Sequence, residues 1–411
     1  MNAIIISIGE ELTSGQTVDT NSAFLARRLA ECGIKTLEHH TVSDDRGPIA
    51  AAIARAAGAA ELVIVTGGLG PTDDDLTRHG LADALGTELA VDEKCLSHLE
   101  EWFRSRGRTM VASNRVQAMV PRGAEPLDNR MGTAPGLAAK VGAATVYVTP
   151  GVPSEMKVMF EEVIRPRLPA GTGVIASKVV HTFGSGESDV GMKIADLMRR
   201  GANPLVGTTV AAGMVSIRIQ AHSPDPGQAR AMAAETAAEV RRRLGDLVVG
   251  EDDETMAAVV GGLLRQRGQT VATAESCTGG LIGELITSVS GSSEYYLGGV
   301  VAYANRVKVE LLGVSEELLR QAGAVSEPVA GAMAEGCRRK FASDWAISVT
   351  GVAGPTGGSA EKPVGLVYIG LAGPGGTEIL RSQFPGTREV IRLRASLMGM
   401  NLLRIKLLQG A

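Results

Sequence analysis

Aromatic residues are scarce in this sequence, at 3% of 411 residues, although apolar residues as a whole make up 44%. The hydrophobic cores must therefore be built from aliphatic side chains. Long apolar runs are also missing, and no stretch approaches the ~20 residues of a membrane-spanning helix. The run MNAIIISIGEEL has no basic start and is too short for a signal peptide, so we expect a cytoplasmic protein with no membrane partner.

Paired cysteines and an excess of basic charge are also lacking. The sequence has four cysteines, none of them in a CxxC pair, so neither a zinc site nor a disulfide framework is indicated. The net charge is −4, whereas domains that bind nucleic acid are usually basic. We therefore expect no nucleic-acid partner.

Alternating strand and helix patterns predict α/β domains at both ends of the chain. Near the N-terminus, AIIIS, LVIVT (62–66) and TVYVT (145–149) read as buried strands separated by helical patterns, which predicts a parallel sheet with helices on both faces. The pattern from 174 to 250 is β-α-β-β-α-β, with its first helix over 188–199, which indicates a small α+β domain. We predict two α/β domains with mainly parallel sheets, residues 1–170 and 251–411, joined by an α+β connector domain, residues 171–250.

The connector pattern also raises the possibility of a KH-type RNA-binding module. Such a module clamps RNA with a GxxG loop, and the only nearby glycine pair is GSG at 184–186. The basic RRR at 241–243 is explained by the favourable position of cations at the C-terminal end of a helix. On this basis we discount a KH module.

Histidine is absent from residues 251–411, which contain AESCTGG at 274–280. Ser276 or Cys277 could be a nucleophile there, but a Ser-His-Asp triad cannot form within this segment. Both residues lie where a strand turns into a helix, and the unpaired N–H groups of a helix start could hold an oxyanion. The alternative is a serine that caps the helix beside a buried cysteine.

Without histidine, the base must be a lysine, a tyrosine or a carboxylate. Lys308 lies five residues after Tyr303, at the end of the strand-like run GGVVAYAN. A lysine base must be neutral at pH 7, so its pKa must fall from about 10.4 to about 7–8, which requires roughly 3–4 kcal/mol from burial and neighbouring groups. The alternative is an ordinary surface lysine at a helix start.

Several motifs follow one another over residues 255–408: TAESCTGG, YANRVK, LGV, GAVSEPVA, SVTGVAGPTGG and EKPVGLVY. Together they resemble the C-terminal domain of the CinA (competence/damage-inducible protein) family, whose members include nicotinamide mononucleotide deamidases. The resemblance implies a serine nucleophile at Ser276, assisted by Tyr303 and Lys308, and no cofactor. It leaves open whether Lys308 or Tyr303 is the direct base.

The implied reaction converts nicotinamide mononucleotide into nicotinic acid mononucleotide and ammonia. The glycine-rich loop TGVAGPTGG (350–358) suits a ribose and a phosphate, and Arg388 could pair with the 5′-phosphate or be an ordinary surface arginine. The expected substrate-binding residues of this segment are Cys277, Thr278, Gly279, Thr350, Gly351, Gly354 and Arg388.

A second candidate site follows the N-terminal strand 62–66. The segment TGGLGPTDDDLT (66–77) places glycines and then three acids after that strand, and ligands of open α/β sheets bind at the carboxyl ends of strands. Asp74 and Asp75 could hold a divalent metal through oxygen atoms. The alternative is an acidic helix start that complements the helix dipole.

Three further motifs accompany this segment: IGEELTSGQTVDTN (8–21), NRMGTAPGL (129–137) and TPGVPSEM (149–156). The set resembles the molybdopterin-binding-like domain of the CinA family over about residues 3–168. The resemblance implies hydrolysis of ADP-ribose to AMP and ribose 5-phosphate with Mg, Mn or Co as the divalent metal. The positions that map onto its binding loops are Gly68, Gly70, Asp19, Asn21, Glu11 and Glu155, with Asp74 and Asp75 as metal ligands.

Two other functions remain open from the sequence. The N-terminal domain could bind a pterin nucleotide without hydrolysis, or the whole chain could act as a non-catalytic partner of competence or recombination proteins. For the catalytic alternative the partners are small nucleotides, nicotinamide mononucleotide and ADP-ribose. We also expect a homodimer.

Overall fold

The aliphatic runs predicted as strands form the centres of two sheets in the computed structural model, which describes residues 1–169 and 174–410. The run LVIVT forms β3 (Leu62–Thr66), and all five of its residues are buried. The hydrophobic cluster that includes Ile4, Ile53 and Val65 consists of Ile, Leu, Val and Ala with the single cysteine Cys95. This composition agrees with the aliphatic cores expected from the scarcity of aromatic residues.

The described residues of 1–177 and 221–232 form one unit. Its strands before residue 150 are β1 (Asn2–Ile8), β2 (Lys35–Val42), β3, β4 (Leu89–Val91), β5 (Met119–Pro121), β6 (Glu125–Leu127), β7 (Gly136–Val141) and β8 (Ala144–Thr149). Its helices up to residue 159 are α1 (Glu10–Thr13), α2 (Thr20–Glu31), α3 (Arg46–Ala59), α4 (Thr77–Leu85), α5 (Glu93–Ser105) and α6 (Pro153–Met159). The main sheet has the order β2-β1-β3-β8-β7-β6.

The described residues of 178–220 and 233–410 form the other unit. The connector begins a few residues before this unit. Its elements are β9 (Val174–Phe183), α7 (Glu187–Lys193), β10 (Leu205–Ala211), β11 (Met214–Ser223), α8 (Pro226–Leu244) and β12 (Val248–Glu251). Next come α9 (Met256–Arg267), β13 (Val271–Glu275), α10 (Leu281–Thr287), β14 (Tyr296–Val301), α11 (Asn305–Leu312) and α12 (Glu316–Ala322). The last elements are α13 (Glu327–Phe341), β15 (Trp345–Gly351), β16 (Leu366–Gly373), β17 (Gly376–Gln383) and α14 (Arg388–Gln409).

The mixed α/β fold with mainly parallel sheets is confirmed, but each large sheet ends in antiparallel strands. In the first unit β2, β1, β3 and β8 are parallel, while β7 pairs antiparallel with both of its neighbours, β8 and β6. In the second, β13 pairs in parallel with β14 and β15, and then β16 and β17 form antiparallel pairs. Ser276 therefore follows the central parallel strand of the sheet β14-β13-β15-β16-β17.

The connector has the predicted element order, and its four strands form the sheet β10-β11-β9-β12. The helix predicted over 188–199 was too long. It ends at Lys193, because Ile194 leaves helical geometry with φ −124° and ψ 16°. None of the helices in residues 1–169 and 174–410 combines the length and the apolarity that crossing a bilayer requires.

Candidate active site

Residues 276–280, here called the serine turn, connect the carboxyl end of β13 to α10. The Ser276 N–H donates to the Val349 carbonyl at 2.9 Å, and the Gly279 N–H donates back to the Ser276 carbonyl at 3.1 Å. The second bond closes a β-turn, whose two central N–H groups are not used by the turn itself. Within the described residues, the N–H groups of Cys277 and Thr278 indeed donate to no other residue.

Lys308 lies in direct contact with the serine. It is in α11 and only 1% exposed, and its Nζ lies 3.2 Å from Ser276 Oγ. The same Nζ donates to the Ala302 carbonyl at 2.8 Å and to the Tyr303 carbonyl at 3.4 Å. The side chain predicted as either a base or a surface lysine is therefore buried, with its amine at the nucleophile.

Burial lowers the pKa of Lys308, because the charged ammonium loses water in this position. In the neutral form the amine has two N–H groups and one lone pair. The carbonyls of Ala302 and Tyr303 can accept the two N–H groups, which leaves the lone pair for the hydroxyl hydrogen of Ser276. The contacts thus accommodate the neutral amine, the form that burial favours and in which a lysine can accept a proton.

Cys277 is the other nucleophile that the sequence left open. Its side chain is 7% exposed and packs in the hydrophobic cluster that also contains Ile282 and Ile391. Burial raises the pKa of its thiol to about 12, so the thiolate needed for attack is suppressed at neutral pH. Of the two adjacent residues, Ser276 is therefore the better nucleophile.

The expected source of oxyanion N–H groups is right for Cys277 but needs correction for the helix start itself. The N–H groups at the start of α10 are already bonded, because the Glu275 carboxylate accepts from Gly280 at 3.0 Å, Ile282 at 3.0 Å and Gly283 at 2.9 Å. The free donors lie earlier, at Cys277 and Thr278 of the serine turn. An oxyanion beside Ser276 would meet these two groups rather than the helix start.

The Tyr303 hydroxyl is bonded to Arg388 and does not bridge Lys308 and Ser276. The tyrosine side chain is 60% exposed, and Arg388 donates to its hydroxyl at 3.0 Å. Arg388 also donates to the Gly354 carbonyl at 2.8 Å, so it joins Tyr303 to the glycine-rich loop. Tyr303 contacts the base only through its backbone carbonyl, and its hydroxyl lies with Arg388 at the exposed side of the site.

Arg392 is a further residue of the site, and the sequence motifs did not indicate it. Its guanidinium donates to the Thr278 carbonyl through Nη2 at 2.6 Å and through Nε at 3.2 Å. Helical spacing could have found it, since Arg388 and Arg392 are four residues apart and share one face of α14. The Thr278 hydroxyl is fully buried and has no hydrogen-bond partner among the described residues.

The strand end that precedes the glycine-rich loop has mainly structural contacts. The Thr350 hydroxyl donates to the Ala324 carbonyl at 2.8 Å. At Gly351 a side chain has no room, because a Cβ would lie 2.6 Å from the Leu366 carbonyl oxygen. Gly354 has φ +74°, where side chains are disfavoured, and its carbonyl is the one that Arg388 holds. Gly279 is exposed and has φ +63°. Of these residues, Gly354 and Gly279 lie closest to the two arginines.

The first unit brings three predicted residues to one cavity of about 220 Å³. Glu11, Asp19 and Asn21 line it together with Ser7 and Thr66, at the carboxyl ends of β1 and β3. Asn21 is 8% exposed and donates to the Thr66 hydroxyl at 3.0 Å and the Gly151 carbonyl at 2.8 Å.

The Asn21 side-chain oxygen and the Asp19 carboxyl are two acceptors of this cavity, and of these only the carboxyl has hydrogen-bond donors among the residues that the structure describes. The Asn21 Oδ1 has no hydrogen-bond partner in the described part of the chain. Burial opposes ionisation of Asp19, but hydrogen bonds from Ser22, Ser7 and Asn21 together outweigh it, and the pKa of Asp19 is lowered. The cavity therefore offers an unpaired buried acceptor beside an ionised carboxylate.

The acidic loop after β3 uses Asp75 mainly to fix its own shape. Asp75 accepts from the N–H groups of Gly70 at 2.7 Å and Thr72 at 2.9 Å, and also from the Thr72 hydroxyl. Gly70 is required here because a Cβ would lie 2.3 Å from Asp75 Oδ2. Gly68 has φ +64° and abuts Thr77. Asp74 is exposed, and a hydrogen bond from Thr72 lowers its pKa.

Asp44 is a further carboxylate of this region that the sequence gave no reason to select. Burial raises the pKa of Asp44, and the negative charges of Glu11, Asp74 and Asp75 raise it further. Glu155 belongs elsewhere, since it accepts from Asn129 at 2.7 Å and so holds the 129–134 loop. In residues 1–169 and 174–410, no group of three or more His, Cys, Asp or Glu side chains is arranged to hold a metal ion.

Family models match nearly the whole chain in three segments. Residues 253–407 match the CinA C-terminal domain, residues 4–170 a probable molybdopterin binding domain, and residues 177–250 the damage-inducible protein CinA KH domain. A CinA-like protein of Anaeromyxobacter sp. strain Fw109-5 is 46% identical over 404 residues, 98% of either chain. A CinA-like protein of Synechococcus sp. strain RCC307 is 44% identical over 409 residues, again 98% of either chain.

Solved structures match parts of the chain. The CinA protein from Thermoplasma acidophilum is 35% identical and covers 41% of this chain and 98% of its own, with a TM-score of 0.38. A competence/damage inducible protein from Agrobacterium tumefaciens is 40% identical and covers 38% of this chain and 94% of its own, with a TM-score of 0.37.

Fold and site together define a multidomain α/β protein with a buried lysine against a serine at the end of a central strand. The full-length similarity to curated relatives makes the assignment more specific: the chain belongs to the CinA family.

The prediction that the connector is not a KH module is wrong, because residues 177–250 match the CinA KH domain. The prediction depended on GSG at 184–186, which lacks the GxxG spacing. That spacing concerns the RNA clamp and not the packing of helices on the sheet, so it was the wrong criterion for the fold. The absence of a nucleic-acid partner stays a prediction.

Proposed function

We propose that the C-terminal domain hydrolyses the carboxamide of nicotinamide mononucleotide, with Ser276 as nucleophile and Lys308 as general base. The observation that carries this proposal is the buried Lys308 amine 3.2 Å from Ser276 Oγ, with its pKa lowered by burial. Nucleophile and base within hydrogen-bond reach are the signature of covalent catalysis. Because Lys308 reaches the serine directly, the proposal assigns the base to Lys308 and not to Tyr303.

The first half-reaction forms an ester on the serine. Ser276 Oγ attacks the carboxamide carbon while Lys308 Nζ takes the hydroxyl proton, and the carbonyl oxygen becomes an oxyanion. The N–H groups of Cys277 and Thr278 are the unpaired donors in reach of that charge, and such donors stabilise the tetrahedral intermediate. Lys308 then returns its proton to the amide nitrogen, the C–N bond breaks, and ammonia leaves.

The second half-reaction uses water. Neutral Lys308 accepts a proton from a water molecule that attacks the ester carbonyl, and the proton returns to Ser276 Oγ as the C–O bond breaks. The product is nicotinic acid mononucleotide, and the enzyme is regenerated. One water is consumed for each ammonia released.

The proposed substrate class comes from the family, whose members include nicotinamide mononucleotide deamidases, and two chemical features support it. The positive ring nitrogen of nicotinamide mononucleotide withdraws electrons from the carboxamide and makes it easier to attack than an ordinary amide. Arg388, exposed beside Tyr303 and the Gly354 carbonyl, is placed to pair with a 5′-phosphate. Ammonia release from nicotinamide mononucleotide by the purified protein, with the acid product identified by mass, tests the proposal. An intact substrate would refute it.

We infer a second activity for the N-terminal domain, the metal-assisted hydrolysis of ADP-ribose to AMP and ribose 5-phosphate. The observation that favours it is the cavity lined by Glu11, Asp19 and Asn21, with an unpaired buried Asn21 oxygen that can accept from a sugar hydroxyl. A pterin nucleotide could use the same cavity without hydrolysis, and an intact ADP-ribose after incubation would favour that alternative.

The carboxylates of this region fit a magnesium-type ion that is shared with substrate phosphates. Such ions use one or two carboxylates plus phosphate oxygens and keep several waters, so a three-carboxylate cage is not needed. Asp44 and Asp74 would hold the ion, since a cation would offset both the burial and the neighbouring negative charges that raise the pKa of Asp44. When bound, the metal would neutralise charge on the pyrophosphate, and Asp75 would keep the loop in shape through Gly70 and Thr72.

A chelator should separate the two activities. We expect excess EDTA to reduce ADP-ribose hydrolysis by about 100-fold or more while ammonia release stays within twofold, because Ser276 and Lys308 supply nucleophile and base themselves. Asp74→Asn should reproduce the loss of hydrolysis, and Asp73→Asn on the same exposed loop is the matched control. Equal inhibition of both activities by EDTA would contradict this division.

A further inference from the structure

Glu275 is a buried carboxylate directly before the nucleophile, and the mechanism above does not use it. Its side chain is 1% exposed. Its three hydrogen-bond partners are the backbone N–H groups of Gly280, Ile282 and Gly283, and no Lys or Arg in the described part of the chain is paired with it. A buried charge of this kind is costly unless such donors satisfy it.

The contacts of Glu275 clamp the serine turn. Glu275 is the last residue of β13, and its carboxylate bonds the first residues of α10. Its hydrogen bonds therefore bridge the whole serine turn, residues 276–280. Arg392 holds the same turn from α14 by donating twice to the Thr278 carbonyl. Together these bonds occupy the N–H groups at the start of α10 and leave those of Cys277 and Thr278 free.

We propose that Glu275 and Arg392 are positioning residues that fix the Cys277 and Thr278 N–H groups as the oxyanion site. This inference rests on the proposed serine chemistry. Without the carboxylate, three N–H groups lose their acceptor and the turn can relax around its single closing bond, from Gly279 to Ser276. A shift of about 1 Å in such a site can cost on the order of 100-fold in rate.

Glu275→Gln tests the proposal, because glutamine keeps the shape but places an amide NH₂ where one carboxylate oxygen accepts. We expect kcat for ammonia release to fall by about 10- to 100-fold with KM changed less than about threefold, since the oxyanion exists only after attack. Glu284→Gln, which changes an exposed glutamate on α10, is the matched control. Unchanged kcat in Glu275→Gln would overturn the proposal.

The inhibition constant of a boronic acid is a measurement that a general loss of stability would not change. 3-Pyridylboronic acid forms an anionic tetrahedral adduct with an active serine, and that adduct places a charged oxygen in the oxyanion site. Its inhibition constant should weaken in Glu275→Gln by a factor similar to the loss in kcat, while the pH profile keeps its midpoint because Glu275 does not contact Lys308. A fall in kcat with unchanged boronate affinity would count against the positioning role.

Arg392→Gln provides the second variant if Glu275→Gln melts far below the wild type. The same loss of kcat and boronate affinity at unchanged KM supports the proposal, and wild-type values overturn it. Wild-type protein that releases no ammonia from nicotinamide mononucleotide would refute the proposed substrate instead. The boronate affinities of wild type and variants would then still decide the positioning role.

Discussion

Ser276→Ala should abolish ammonia release from nicotinamide mononucleotide, with kcat reduced by about 10⁴-fold or more, as expected when a covalent nucleophile is removed. The substitution deletes only the Oγ that lies 3.2 Å from Lys308. It keeps the Ser276 N–H bond to the Val349 carbonyl, so the serine turn should stay in place. Initial rates of ammonia release from the purified variant measure the effect.

Two controls define what this loss means. Ser288→Ala removes an exposed serine at the end of α10, whose hydroxyl donates to the Leu285 carbonyl, and should leave the rate within about twofold. ADP-ribose hydrolysis in Ser276→Ala should also be unchanged, because the proposed second site is in the other unit. An active Ser276→Ala enzyme beside an inactive Cys277→Ala enzyme would reassign the nucleophile to the cysteine.

Periodicity and turn residues were enough to predict most of the fold. LVIVT over 62–66 is a strand with the predicted bounds, because a short run rich in β-branched residues between turns favours a buried strand. The antiparallel strands β7 and β16 were not predicted. Strand direction depends on which edge of the sheet the chain returns to, and a run of apolar residues carries no information about that direction.

The residue types of the site could be predicted from the sequence, but their burial and their hydrogen-bond partners could not. AESCTGG and the absence of histidine left Ser276 or Cys277 as nucleophile and a lysine, tyrosine or carboxylate as base. The burial that lowers the pKa of Lys308 arises only when α11 packs beside the end of β13. The hydrogen-bond partners of Glu275 and Asp75 are likewise visible only in three dimensions. In sequence, both look like exposed acids near a helix start.

Lys308→Arg should be nearly inactive although it keeps the positive charge. A general base contributes roughly 10²- to 10⁴-fold, and arginine cannot lose its proton at these pH values. Lys308→Met, which fills the buried site with an apolar chain, should lose a similar factor. Lys340→Met removes an exposed lysine on α13 and is the matched control. Tyr303→Phe should keep more activity than either Lys308 variant, since the tyrosine contacts Lys308 only through its backbone carbonyl.

The pH dependence separates a base from a fixed charge. Burial lowers the pKa of Lys308, and the neutral amine is the working form, so the wild-type rate should fall as pH drops below that lowered pKa. No histidine in residues 251–411 can produce the same curve. Near wild-type activity in Lys308→Arg would show that only a positive charge is needed, as for a phosphate or oxyanion contact.

Unfolding gives a test of Lys308 that does not depend on activity. Between its lowered folded pKa and the ordinary lysine value of 10.5, the unfolded chain binds more protons than the folded chain at this position. The free energy of unfolding contributed by Lys308 therefore rises with pH, by at most about 1.4 kcal/mol per pH unit, and is lost as pH falls. Lys308→Met should remove this rise, so the difference in free energy of unfolding between wild type and variant should change with pH across that window. A difference that is constant from pH 7 to 10 would mean that the lysine stays charged in the folded protein, and Lys308 could not then be the base.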